Sequence, residues 1–128
     1  MSTRACIIKR ELNGTYSAIY SHSDGYVKDG AGEELVRCWN DAADVNQLIA
    51  DGDCNFPGDP YHDNSPARNY KSLKELLEKE SEKGFDYYYL FTNIMGEWYW
   101  YCKKYPVTPK NGIEDWVLLN EEEIEYFD

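Results

Sequence analysis

The chain has 128 residues, 42% of them hydrophobic and 16% aromatic, and a formal net charge of −11. That is the size of one domain with one core, and it is too apolar to be disordered throughout. No run approaches the roughly 18 apolar residues of a transmembrane helix, and the acidity disfavours direct contact with phosphate backbones, which are met by Lys and Arg.

The N-terminus carries Arg4, Lys9, Arg10 and Glu11 with no long apolar region, unlike a secretory signal, so a cytosolic location is expected. Asn13-Gly14 lies between two β-rich runs and predicts a type I′ turn joining a strand near 4–12 to one near 15–21. On the second strand Tyr16, Ala18, Tyr20 and His22 share one side, and Ser17, Ile19 and Ser21 the other. Asp24-Gly25 marks another turn. Residues 32–40 read as a short helix with Leu35, Val36 and Trp39 inward. Asp41 caps a second helix to about Ala50, with Val45, Leu48 and Ile49 as its apolar stripe and Gly52 ending it.

Residues 53–69, which include Pro57, Gly58, Pro60 and Pro66, read as a long loop. Ser72-Leu73-Lys74-Glu75 is a capping box opening a third helix that buries Leu73, Leu76 and Leu77 and stops at Gly84. Strands over 86–92 and 97–102 flank a turn at Asn93–Gly96. Trp98 and Trp100 share one face, Tyr99 and Tyr101 the other, and the aromatics on both faces point to a central, covered strand. Trp116–Leu119 is a final strand, followed by an acidic helical tail. The sum is a single α+β domain over 1–128: an antiparallel sheet of about four to five strands with two to three helices packed on one face.

The charge is unevenly spread. Residues 29–63 hold nine acids against Arg37 alone, and residues 111–128 hold seven acids and no base. Glu33, Glu34, Asp41 and Asp44 in the first segment, and Glu121, Glu122, Glu123 and Glu125 in the second, are the candidate partner-binding residues. A basic protein surface, such as one that normally holds nucleic acid, complements them. A second constellation is Tyr20, His22, Asp24, Tyr26, Lys28 and Gly32, around a turn before a helix N-terminus. Helix amides and Lys28 suit a phosphate, and tyrosines suit a base. The same residues also read as a polar turn with packed tyrosines.

Asp51, Asp53, Asp59, His62 and Asp63 lack calcium-loop spacing and read as a solvated acidic loop, so no metal or other cofactor is expected. Ser2, exposed by removal of Met1, is the candidate nucleophile of a small amide hydrolase. Cys6, Cys38, Cys54 and Cys102 form no C-x-x-C pair and read as reduced thiols. The aromatic runs Tyr87–Phe91 and Trp98–Tyr101 lack interleaved bases and read as sheet core rather than a stacking platform.

The pattern Met1-Ser2-Thr3-Arg4, His22-Ser23-Asp24-Gly25-Tyr26, Gly32, Leu35 and Leu48-Ile49-Ala50-Asp51-Gly52-Asp53 recurs with Ser72-Leu73, Tyr88-Tyr89-Leu90-Phe91 and Gly96-Glu97-Trp98-Tyr99. It resembles a family of small, largely uncharacterised proteins of bacteriophages and mobile elements, from which Ser23 and Phe56-Pro57 depart. The resemblance implies a phage origin and a setting in the host cytoplasm, and names no reaction. With the acidic segments it gives the functional expectation. This is a non-enzymatic accessory protein that inhibits a host component, such as a CRISPR-type defence protein, by meeting its basic nucleic-acid-binding surface. No membrane partner is expected, and a dimer is among the open oligomeric states. One alternative is a module sequestering a nucleotide-like signal through the His22–Lys28 turn. Another is the Ser2 hydrolase.

Overall fold

The computed structural model describes residues 3–59 and 65–126, apart from the side chains of Glu123, Glu125 and Tyr126. The fold is α+β, built on a six-stranded mixed sheet. Its strands are β1 (Ala5–Arg10), β2 (Tyr16–Ser21), β3 (Arg68–Tyr70), β4 (Tyr87–Ile94), β5 (Glu97–Lys104) and β6 (Val117–Leu118), in the order β3-β2-β1-β4-β5-β6. Every neighbouring pair is antiparallel except β1 and β4, which run parallel with Ala5 beside Tyr87 and Lys9 beside Phe91. The sheet expected as antiparallel is thus two antiparallel halves joined by one parallel seam. Hairpin signals report pairing between chain neighbours only, whereas a parallel pair needs a long crossover and leaves no local turn to read.

Both hairpins form where expected, but the two turns differ in kind. Gly14 N–H donates to the Glu11 carbonyl at 3.0 Å and Glu11 N–H to the Thr15 carbonyl at 2.7 Å. Only Gly14 takes a positive φ there, 87°, so this is the longer hairpin loop with one left-handed glycine rather than a type I′ pair. Asn13 instead turns its side chain inward, accepting from Thr15 N–H at 3.0 Å. The two-residue turn with both φ values positive is Met95-Gly96, at 53° and 89°.

β1 and β4 are apolar on both faces, and helices cover both. α1 (Ala31–Cys38) and α2 (Ala42–Asp51) lie on the face carrying Ile7, Ile19, Tyr89, Phe91 and Trp100. These are two helices on one face, as expected. α3 (Leu73–Glu80) lies on the opposite face, over Cys6, Ile8, Ala18, Tyr88 and Leu90. Two neutral facts put it there: its stripe of Leu73, Leu76 and Leu77 needs an apolar floor, and the second sheet face needs a cover. Burying a leucine contributes about 1.5–3 kcal/mol. The caps match the sequence reading. Asp41 accepts from Ala43 N–H at 2.7 Å, Ser72 from Glu75 N–H at 3.1 Å, and Gly52 ends α2 at φ 82°. The acidic tail is a 3-10 helix over Glu121–Tyr126.

The 53–69 segment is less free than its composition suggests. Cys54 bridges to Ser21, and the segment ends in β3, an edge strand too short and polar for periodicity to show. A buried ion cluster fixes that end. The Glu80 carboxylate is fully buried and accepts from Arg68 Nε (3.2 Å) and Nη2 (2.9 Å) and from Tyr70 Oη (2.6 Å). Lys83 Nζ adds bonds of 3.3 Å to both of its oxygens. Arg68 Nη1 also donates to Asp53 Oδ1 at 2.7 Å, and the same oxygen accepts from Tyr20 N–H. Burial pushes the Glu80 carboxyl up, but the bonds from Arg68 and Tyr70 outweigh it and hold the group below its ordinary value.

The cysteines are free thiols, with Cys6, Cys54 and Cys102 buried and Cys38 exposed. Burial pushes the Cys102 thiol up to about 12, which suits a packing role. Among the described residues no helix is long and apolar enough to cross a membrane.

Candidate partner-binding face

The two acidic segments lie far apart in sequence and meet on the α1 side of the molecule. α1 places Glu33, Glu34 and Arg37 on its outer surface, because Leu35 and Val36 take the inner one. The tail comes alongside because Leu119 and Ile124 bury in the same core as Leu35. Arg37 then ties the segments together: Nε donates to Glu33 Oε2 at 2.9 Å and Nη1 to Glu121 Oε1 at 2.8 Å. Asp29, Gly30, Glu33, Glu34, Arg37 and Phe56 line a cleft of about 200 Å³ beside this bridge.

Most of this charge faces solvent. Arg37 is 41% and Glu121 55% exposed, and Glu122 is also exposed. The Asp29 N–H, then the Arg37 guanidinium, hold the Glu33 carboxyl below its ordinary value, so it stays ionised in mildly acidic solution. Asp29, Glu33, Glu34, Glu121 and Glu122 outnumber Arg37 and the nearby Lys28, and the face presents a net negative potential. Asp41 and Asp44 are exposed at the start of α2, where Asp41 is partly committed as a cap. The side chains of Glu123 and Glu125 lie outside the described residues.

The His22–Lys28 constellation is spread out rather than gathered. Tyr20 packs edge-on against Phe85 at 5.0 Å, on the α3 side, and His22 lies 4.2 Å from the Tyr20 ring. Tyr26 packs on Tyr87, which belongs to the opposite sheet face, at 6.5 Å. Asp24 and Lys28 are exposed. The amides that would hold a phosphate are already taken. Ala31 N–H donates to the Asp24 carbonyl (2.7 Å), Gly32 to Tyr26 (3.0 Å), Glu33 to Val27 (2.8 Å) and Glu34 to Gly30 (3.1 Å). The turn folds back on its own helix and fills the anion position with backbone carbonyls. Gly32 is needed for that approach, since a Cβ there would fall 2.8 Å from Val27 Cα and 2.9 Å from Tyr89 Oη.

Of the acidic loop, Asp53 belongs to the Arg68 cluster, while His62 and Asp63 lie outside the described residues, as do Met1 and Ser2. Among the described residues no group of three or more His, Cys, Asp or Glu side chains is placed to hold a metal ion. The aromatic runs are sheet core: Phe91 stacks on Trp98 at 4.9 Å, and Trp100 Nε1 donates to the Trp39 carbonyl at 2.8 Å. The sequence reading missed Lys9, Glu11, Arg68 and Glu80. Two carried a signal, because Glu80 follows Leu73, Leu76 and Leu77 on the buried helical stripe, and Lys9 follows Ala5 and Ile7 on one strand face. Comparison with protein-family models, curated proteins and solved structures finds no match.

Proposed function

We propose that this chain is a non-catalytic phage or mobile-element accessory protein acting in the host cytoplasm. Its acidic face occupies the basic, nucleic-acid-binding surface of a host protein, and a CRISPR-type defence component is the class of target that the reading favours. One observation carries the proposal. Glu33 and Glu121 come from segments far apart in sequence and converge on Arg37, making one exposed face of concentrated negative charge. An arrangement of this kind steers a basic partner over distances comparable to the Debye length, about 8 Å at physiological salt. The chain competes with nucleic acid by presenting carboxylates where phosphates would lie.

The test starts with tagged protein incubated in host lysate and mass spectrometry of what co-purifies. Binding to the recovered partner is then measured at low and high salt, with and without competing nucleic acid. The reading expects mutual exclusion with nucleic acid. It also expects a Glu33→Lys/Glu121→Lys variant to associate more slowly, with a flatter salt dependence and an unchanged fold. Unchanged association at both salts overturns it.

A further inference from the structure

Lys9 sits where the alternation of β1 calls for a core residue. Ala5, Ile7 and Lys9 share a face, and Lys9 is 2% exposed. Its ammonium donates to Glu11 Oε1 at 3.1 Å and to the Arg10 carbonyl at 3.3 Å, and lies 4.9 Å from the centre of the Trp98 ring. Glu11 Oε2 accepts from Ser17 Oγ at 2.7 Å. Asn69 Nδ2 donates to Ser17 Oγ at 3.1 Å and to Thr15 Oγ1 at 3.0 Å, and Thr15 Oγ1 donates to Asn13 Oδ1 at 2.7 Å. Apolar side chains of similar volume usually serve stability as well as a buried ion pair does, or better. Only the Lys9 end of this pair is buried, Glu11 being 28% exposed, so the pair is weak evidence of a stabilising role.

The network forms one wall of a shallow basin of about 540 Å³ bordered by Lys9, Glu11, Leu12, Asn13, Asn46 and Asn69. Small-molecule sites run to about 300–1,000 Å³. The lining narrows the occupant. Lys9 and Glu11 neutralise each other, so a phosphate or a cation finds no net charge to meet. Trp98 and Arg10 border the adjoining pocket beyond Glu11 and Leu12, and no aromatic side chain lines the basin itself among the described residues, which disfavours a stacked nucleobase there. Glu11, the Asn69 Nδ2 and the Asn13 Oδ1 are spent inside the network; what the lining still offers is the Asn46 carboxamide, Asn69 Oδ1, Asn13 Nδ2 and the aliphatic Leu12, which is 93% exposed. Planar amides pair with adjacent hydroxyls, and an aliphatic side chain suits a C–H face.

We propose that this basin binds a neutral polyhydroxylated molecule, a sugar in free form or within a saccharide chain. Asn46 and Asn69 take its hydroxyls, Leu12 packs against its C–H face, and the Lys9–Glu11 pair holds the wall rigid. The basin shares no residue with the acidic cleft, so it stands or falls independently of partner binding.

The test uses the full chain labelled with ¹⁵N and titrated with a panel of neutral monosaccharides and disaccharides, with maltotriose, and with glucose 6-phosphate. At least one neutral sugar is expected to shift the Asn46 and Asn69 side-chain amide signals saturably. A Leu12→Ser/Asn46→Ala variant, altered only at exposed positions and checked for an unchanged spectrum elsewhere, should weaken that binding about tenfold or more. Glu33→Lys/Glu121→Lys should leave it unchanged. Saturation by a monosaccharide assigns a free sugar, and saturation only by longer saccharides assigns a chain; either supports the proposal. No saturable shift with any neutral sugar overturns it, as does equal binding by the basin variant. Tighter binding of the phosphorylated sugar also overturns it, by marking Lys9 as an anion site.

Discussion

Two arginines in this molecule each stand between two carboxylates, and they do opposite work. Arg68 joins Asp53 and Glu80 against the α3 face of the sheet, where Glu80 is wholly out of solvent. Arg37 joins Glu33 and Glu121 on the outside of α1, with all three partly in water. The chemistry is the same and the dielectric differs. In the interior an ion once committed needs its partner, because a bare charge there is costly; at the surface water replaces a lost partner. The first cluster therefore fixes an edge strand and the base of a long loop. The second leaves its carboxylates available to another molecule.

The largest effect should come from breaking the buried member. Arg68→Met leaves the Glu80 carboxylate dependent on Tyr70 and Lys83, and should lower stability by about 3 kcal/mol or more in urea unfolding. Replacing both ends, as Arg68→Met/Glu80→Leu, should recover much of that loss, since no buried charge is stranded. Arg37→Met should leave the midpoint nearly unmoved. Equal losses at the two arginines would erase the contrast.

Acid gives a second, smaller discrimination. Glu80 is held below its ordinary value of 4.5 in the folded protein, so the unfolded chain binds the proton more readily. Its contribution is fully present above pH 4.5 and is lost as the pH falls through the lower folded value. Urea midpoints measured down that range should show a steeper decline in the natural protein than in Glu80→Gln. Glu33 is lowered as well, but its exposure predicts a much weaker slope, so Glu33→Gln should track the natural protein. The smallest effect on stability belongs to Glu33→Lys/Glu121→Lys, which should alter salt-dependent association with a partner while melting stays nearly constant.

The contrast also marks what the sequence made legible. Cap residues, helix stripes and the two hairpins were readable because each rests on chemistry within a few positions of the chain: Asp41 on Ala43, Ser72 on Glu75, glycine in each turn. The parallel seam, the polar edge strand and the placement of α3 depend on residues distant in sequence. Glu80 was visible as an intrusion on a leucine stripe, but its partner Arg68 sat in what read as loop. For the candidate site, the charge asymmetry was plain in the composition. The meeting of Glu33 with Glu121 through Arg37 was not, because it depends on where Ile124 and Leu119 bury. The His22–Lys28 turn looked binding-competent from residue types alone, and the helix amides it was to lend are bonded to its own carbonyls.

The seam between β1 and β4 has a consequence for how the chain is made. During synthesis β1 pairs with β2 as soon as the hairpin between them has emerged. Its other edge stays bare until β4 follows, because β4 begins only at Tyr87. Through that interval Ile7 and Ile8 lack the strand that later flanks them, although all three α-helices emerge before it. Long-range pairings of this kind slow folding and leave nascent chains prone to aggregation.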